Sequence, residues 1–99
     1  MQATYEFDWD AEKAEANARK HGVTFEGAMT VFRDRLAVTV YDEEHSEQEE
    51  RWVTIGRTEG GSTVIVVHTF TPTTPGNALI RIVSAREATN RERQQYEAG

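Results

Sequence analysis

Apolar residues in this chain switch from a period of two to a helical period and back, and the switches lay out its elements. Tyr5, Phe7 and Trp9 alternate with Glu6 and Asp8, which predicts a short opening strand. Asp10 then stands where a helix cap is needed, Glu12 falls in the first turn, and Gly22 supplies a left-handed stop. A helix to about His21 follows, with Ala11, Ala14 and Ala18 as its expected buried stripe. Thr24 can cap a second, shorter helix in which Phe25, Ala28, Met29 and Phe32 recur at helical spacing. The period returns to two at Leu36, Val38 and Val40, again over Arg51 to Arg57, and again over Thr63 to Thr71. Glu59-Gly60-Gly61-Ser62 joins the last two as a hairpin turn. Pro72 to Asn77 reads as a loop or hairpin tip, and Ala78 to Ala85 as the final strand. Thr89 and Glu92 have capping-box spacing for a closing helix from about Asn90.

The plan is α+β: two N-terminal helices, an antiparallel sheet of three to four main strands plus the short N-terminal strand, and a C-terminal helix. At 99 residues it is expected to be one domain spanning 1–99. There is no cysteine, so neither disulfides nor thiolate metal sites are expected. No apolar run approaches the ~20 residues needed to cross a bilayer, and the N-terminus lacks the basic-then-apolar order of a secretion signal. A cytoplasmic location with no membrane association is the expectation.

Charge changes this picture in one place. The net charge is −6, which argues against a broad nucleic-acid-binding face. Yet residues 42–50 hold six of the 17 acidic residues and no lysine or arginine, and without them 11 acids face 11 bases. The body is therefore neutral and one connector is strongly acidic. Such a connector is either a solvated loop or a docking patch for a basic partner.

Several pieces occur in order. They are Phe7-x-Trp9-Asp10 with Lys13 and Asn17, Lys20-His21-Gly22-Val23-x-Phe25-Glu26, His45-Ser46-Glu47 with Glu50-Arg51, and Ile55-Gly56-Arg57. Last come Ile82-Val83-Ser84-Ala85-Arg86 with Ala88-Thr89, Glu92-Arg93 and Tyr96. In that order and spacing the chain closely resembles the BrnT family of toxins from type II toxin–antitoxin modules, from about Tyr5 to Tyr96. The resemblance implies a RelE-like fold and a metal-independent, cofactor-free ribonuclease that stops translation. It also implies neutralisation by a BrnA-type antitoxin with a ribbon-helix-helix domain. The complex, expected to be a heterotetramer, would repress its own operon, so that operator DNA is met only through the antitoxin.

Metal-free RNA cleavage needs a base for the 2′-hydroxyl, cations for the charged phosphorane and an acid for the leaving 5′-oxygen. The product end would be a 2′,3′-cyclic phosphate. His21 reads either as a histidine satisfied at the edge of the core or as the base or a phosphate ligand. Arg57 continues the apolar face of Val53 and Ile55, where a guanidinium pairs with a carboxylate or grips phosphate. Arg86, read as lying just past the last strand, is the favoured catalytic cation; Arg81, on the side of Val83 and Ala85, and Lys20 are candidate RNA contacts. Tyr96 shares a helix face with Glu92 and reads either as a packing residue or as a proton donor that can also stack on a base. Glu92 reads as a capping residue and His68 as a core histidine. No pair of histidines has metal-ligand spacing, so no metal is expected. The competing reading is a non-catalytic corepressor that binds a DNA-binding partner through its sheet edge and acidic segment.

Overall fold

The structure is a computed structural model in which residues 4–44, 46–47 and 49–99 are described. Strand β1 (Thr4–Asp8) leads into helix α1 (Ala11–His21), capped by the Asp10 carboxylate and stopped by Gly22 at φ 70°. Helix α2 (Phe25–Ala28) is one turn long, capped by Thr24, and tightens at once into the 3₁₀ turn Met29–Arg33. Strands β2 (Val38–Tyr41), β3 (Trp52–Arg57), β4 (Thr63–His68), β5 (Thr71–Pro72) and β6 (Asn77–Glu87) follow, and helix α3 (Asn90–Ala98) closes the described chain.

The strands form one six-stranded sheet in the order β1-β6-β4-β3-β2, with β5 also on β6. This is more strand than the alternation predicted. The apolar run from Thr63 breaks at Thr69 and Phe70, and its end becomes the separate strand β5. Strand β1 lies parallel to β6, so the sheet is mixed and not purely antiparallel.

Helices α1 and α2 cover one face of the sheet. Val23, Phe25, Ala28 and Val31 pack there on Val64, Val66, Ile82 and Ala85. The face of α1 turned to the sheet keeps only part of the expected alanine stripe: Ala14 packs half-buried against the core and Ala18 is half-buried, but Ala11 is exposed and the buried residue is Asn17. Its amide donates to the carbonyls of Ala85 (2.8 Å) and Val23 (2.9 Å), and accepts from Ala85 N–H (3.1 Å). The reason lies in the sheet. Strand β1 pairs with β6 only as far as Arg81, so beyond it β6 has lost its partner on that side. The Asn17 amide supplies a donor and an acceptor there, as a neighbouring strand would.

A register shift in the β4–β6 pairing at Val67/His68 resets the alternation of β6. Ile80 and Ile82 face the core, and so does Ala85, three residues after Ile82. Arg81 and Ala85 are therefore on opposite faces, which corrects the reading that put them together. Strand β6 also runs on to Glu87 because β4 continues to Thr63 and pairs with it. Arg86 thus lies inside the strand, opposite Ile65, and not beyond it.

Gly56 is where the 3₁₀ turn and the loop after it approach β3. A Cβ there would stand 3.0 Å from Val31 Cβ, 3.1 Å from Ala37 Cβ and 3.4 Å from Asp34 Oδ2. Gly56→Ala is expected to lower stability by ~1–3 kcal/mol through overpacking, read as a shift in the urea midpoint at unchanged m-value.

Candidate functional site

The second face of the sheet carries Val38, Val40, Val53, Ile55 and Ile65, and α3 lies against it through Glu92, Gln95 and Tyr96. Together they border an open cleft of about 270 Å³. None of the residues of α3 is buried, so polar contacts do much of the work of holding it to the sheet. Its start is fixed by the expected capping box, with Thr89 accepting from Glu92 N–H and the Glu92 carboxylate accepting from Thr89 N–H.

Glu92 has a second task. Its two oxygens accept from both terminal nitrogens of Arg86, at 2.8 and 2.9 Å, the fork-on-fork pairing that suits a guanidinium. The Arg86 bonds, assisted by the Thr89 backbone, hold the Glu92 carboxyl down at about 2 against the pull of burial. The same bonds raise the pKa of Arg86, so both partners stay charged.

One turn further along α3, the Tyr96 hydroxyl donates to Asp34 Oδ2. Asp34 ends the 3₁₀ turn and acts as a hub: Oδ2 also accepts from Arg57 N–H (2.8 Å), and Oδ1 from Leu36 N–H (3.0 Å). Burial pushes the Asp34 carboxyl up, but the bonds from Tyr96, Arg57 and Leu36 outweigh it and leave the pKa lowered. Burial and the Asp34 carboxylate raise the pKa of Tyr96, so the phenol keeps its proton at neutral pH. The Arg57 side chain reaches back to Glu97 on α3 at 3.4 Å.

Three of the expected site residues are thus gathered by α3: Arg86 through Glu92, Arg57 through Glu97, and Tyr96 through Asp34, whose oxygen also holds the Arg57 backbone. Each arginine already meets a carboxylate. Three others lie elsewhere. Lys20 and His21 are exposed in the last turn of α1, on the layer that packs the other face of the sheet. Arg81 pairs with Asp8 of β1 at 3.8 Å. His68 is a core histidine, 1 % exposed. Its Nδ1 donates to the Thr69 carbonyl (2.9 Å), its Nε2 meets the Thr54 hydroxyl (2.7 Å), and burial lowers its pKa. His45 and Gln48 of the acidic segment lie outside the described residues.

Asp34 was not among the expected residues. The local pattern Asp34-Arg35-Leu36 signals only a turn, and the contact that matters joins positions 62 apart.

These shifts fix a pH dependence. A carboxyl whose folded pKa is depressed stabilises fully above its unfolded pKa, 4.5 for Glu92, and loses that contribution as pH falls toward about 2. The lowered pKa of His68 adds a loss that begins as pH falls below 6.5, where the unfolded imidazole takes up a proton first. A melting-temperature profile is expected to fall in both windows, and Glu92→Gln to flatten it below pH 4.5 only.

The comparisons with known proteins concern the family and the fold. The family described as "Ribonuclease toxin, BrnT, of type II toxin-antitoxin system" matches residues 9–92. The chain belongs to the BrnT family. The crystal structure of the Brucella abortus ribonuclease toxin BrnT is similar in fold, with a TM-score of 0.61 at 21% identity. The match covers 89% of this chain and 100% of that one. No curated protein matches the chain by sequence. The match from Trp9 to Glu92 takes in Asp34, Arg57, Arg86 and Glu92 and stops short of Tyr96. Among the described residues, no helix is long and apolar enough to cross a membrane.

Proposed function

We propose that this BrnT-family chain is a cytoplasmic, single-domain endoribonuclease toxin that cuts RNA without a metal and so inhibits translation. The observation that carries the reading is the convergence of Arg57, Arg86 and Tyr96 on α3, beside an open cleft. A phosphodiester placed there would take over the Arg86 fork from Glu92 and the single Arg57 contact from Glu97, since phosphate oxygens suit a guanidinium as carboxylate oxygens do. The 2′-oxygen would attack phosphorus, the P–O5′ bond would break, and a 2′,3′-cyclic phosphate and a free 5′-hydroxyl would remain.

The roles divide by chemistry. Arg57 and Arg86 stabilise the charge that grows on phosphorus. Tyr96 keeps its proton at neutral pH and so suits the acid that protonates O5′. Asp34 positions Tyr96 and Arg57 together. His21, carried by α1 across the sheet from this cleft, is not proposed as its base; the Glu92 carboxylate, which lines the cleft and is freed when phosphate takes Arg86, is proposed to take the 2′-hydroxyl proton, with Lys20 and Arg81 as outer RNA contacts. The partner is proposed to be a BrnA-type antitoxin in a heterotetramer that meets operator DNA only through the antitoxin, as in the RelE-like scheme the sequence resemblance implies.

The pairing of each arginine with a carboxylate and the net charge of −6 favour a second reading, a non-catalytic corepressor. A cleavage assay separates the two. Under the first reading the purified chain cuts RNA, Tyr96→Phe slows cutting ~10²-fold through the lost acid, and the 3′ ends of the fragments resist ligation until the cyclic phosphate is opened and the phosphate removed. Under the second, RNA stays intact with every variant.

A further inference from the structure

Strand β2 ends the sheet, and its outer edge pairs with no other strand among the described residues. Edges of this kind are normally blunted by lysine, proline or a bulge. The sequence here is Val38-Thr39-Val40-Tyr41, with none of these. Val38 is 50% exposed, Val40 55% and the preceding Leu36 70%, so a row of aliphatic side chains faces water along the edge. The row does not stop at β2. It continues across Val53 and Ile55 into the cleft beneath Glu92 and Tyr96. A contiguous apolar strip of this sort marks an interaction surface.

Two features specify what it takes. Glu43, Glu44, Glu47, Glu49 and Glu50, in the segment that follows β2, are all exposed, and no lysine or arginine lies within residues 42–50. An occupant of the strip would therefore be drawn in by basic residues beside its apolar stretch. The strip also runs directly to Glu92, which holds Arg86, and to Tyr96, so its occupant would lie over the proposed cleavage site.

We infer that the free edge and apolar face of β2 hold a segment of the neutralising antitoxin, an extended apolar stretch flanked by lysines or arginines, added to the sheet as a further strand. Backbone pairing along the edge gives affinity, and alternate side chains fill the row beside Val38 and Val40. Neutralisation then follows from cover: the added segment shuts the cleft against α3 and excludes RNA. This inference rests on the toxin reading above.

The test uses the full chain and the antitoxin that rescues its growth arrest on co-expression. Alternate amides of β2 already bond to β3, so hydrogen exchange of the wild-type complex is expected to show new protection at the outward-pointing Thr39 and Tyr41 amides. Val38→Asp/Val40→Asp is expected to weaken antitoxin binding at least tenfold. Leu36→Glu, a milder change at the more exposed position, is expected to weaken it several-fold with an unchanged melting temperature. Glu43→Lys/Glu44→Lys is expected to slow association and to flatten its salt dependence. Unprotected Thr39 and Tyr41 amides in a tight complex, or full affinity in folded Leu36→Glu and Val38→Asp/Val40→Asp, would overturn the inference and leave the toxin reading standing. A chain that pairs with a second copy of itself through β2 in the antitoxin's presence would also overturn it. If no antitoxin rescues an active wild-type chain, the toxin–antitoxin reading itself fails.

Discussion

Replacing Arg86 with alanine is expected to abolish growth arrest and to lower the rate of RNA cleavage by ~10²–10³-fold, the scale of losing one preorganised donor to a charged transition state. The fold should survive. Arg86 is part-exposed on a strand whose backbone pairing to β4 does not involve its side chain, and the Arg86–Glu92 pair sits at the surface. Exposed pairs contribute ~0–1 kcal/mol, so the melting temperature should fall by only a few degrees. Arg86→Lys discriminates further. A lysine keeps the charge but cannot present two parallel N–H groups, so activity should stay well below wild type if the fork is what matters. If the role were only to anchor α3, Arg86→Ala would cost stability and leave the rate per folded molecule unchanged.

The largest expected loss of stability is at Asn17. Asn17→Ala removes one amide and leaves the Ala85 N–H, the Ala85 carbonyl and the Val23 carbonyl without their partner in the core. Unpaired buried groups cost ~1–3 kcal/mol each, and some are rescued by water, so a total of about 3 kcal/mol is expected. In a chain of 99 residues this corresponds to a fall in melting temperature of roughly 12–24 °C. Asn17→Asp serves as the control. It retains the acceptor for Ala85 N–H but sets a carboxylate against two carbonyls, so it should be at least as damaging. Because Ala85 adjoins Arg86, either variant should also lower cleavage beyond what the unfolded fraction explains.

Asn17 shows where the sequence was legible and where it was not. Local signals carried their elements well. Asp10, Thr24 and Thr89 cap the helices they were expected to cap, Gly22 stops α1, and Glu92 completes a capping box. Those features depend on residues a few positions apart. The face that α1 turns inward does not. A stripe of alanines looks buried by pattern, yet the inward position is an asparagine, because strand β6 loses its neighbour beyond Arg81 and needs hydrogen bonds there. That need arises in tertiary structure alone.

The same division governs the site. Arg57 was placed on the Val53 and Ile55 face by the period of two, and it lies with the α3 side of the sheet. Arg86 was picked out by sequence, but the register shift at Val67/His68 that turns it to that face leaves no mark in the pattern of β6. His21 shares no hydrogen bond or ion pair with Arg57, Arg86 or Tyr96, and α1 and α3 lie on opposite faces, which no count along the chain could reveal. Asp34 escaped notice for the complementary reason: its turn is local, but the phenol and the strand backbone it holds come from distant positions.

Arg57, Arg86 and Tyr96 are proposed to form one RNA-cleaving centre around α3. This is tested most directly by incubating the purified chain with a defined single-stranded RNA in excess EDTA and analysing the 3′ ends of the fragments. Cleavage is expected to persist in the chelator, to leave 2′,3′-cyclic phosphate ends, and to fall at least ~10²-fold in each of Arg86→Ala and Tyr96→Phe while both remain folded. Intact RNA with the wild-type chain, or undiminished cleavage in folded Arg86→Ala, would contradict this proposal.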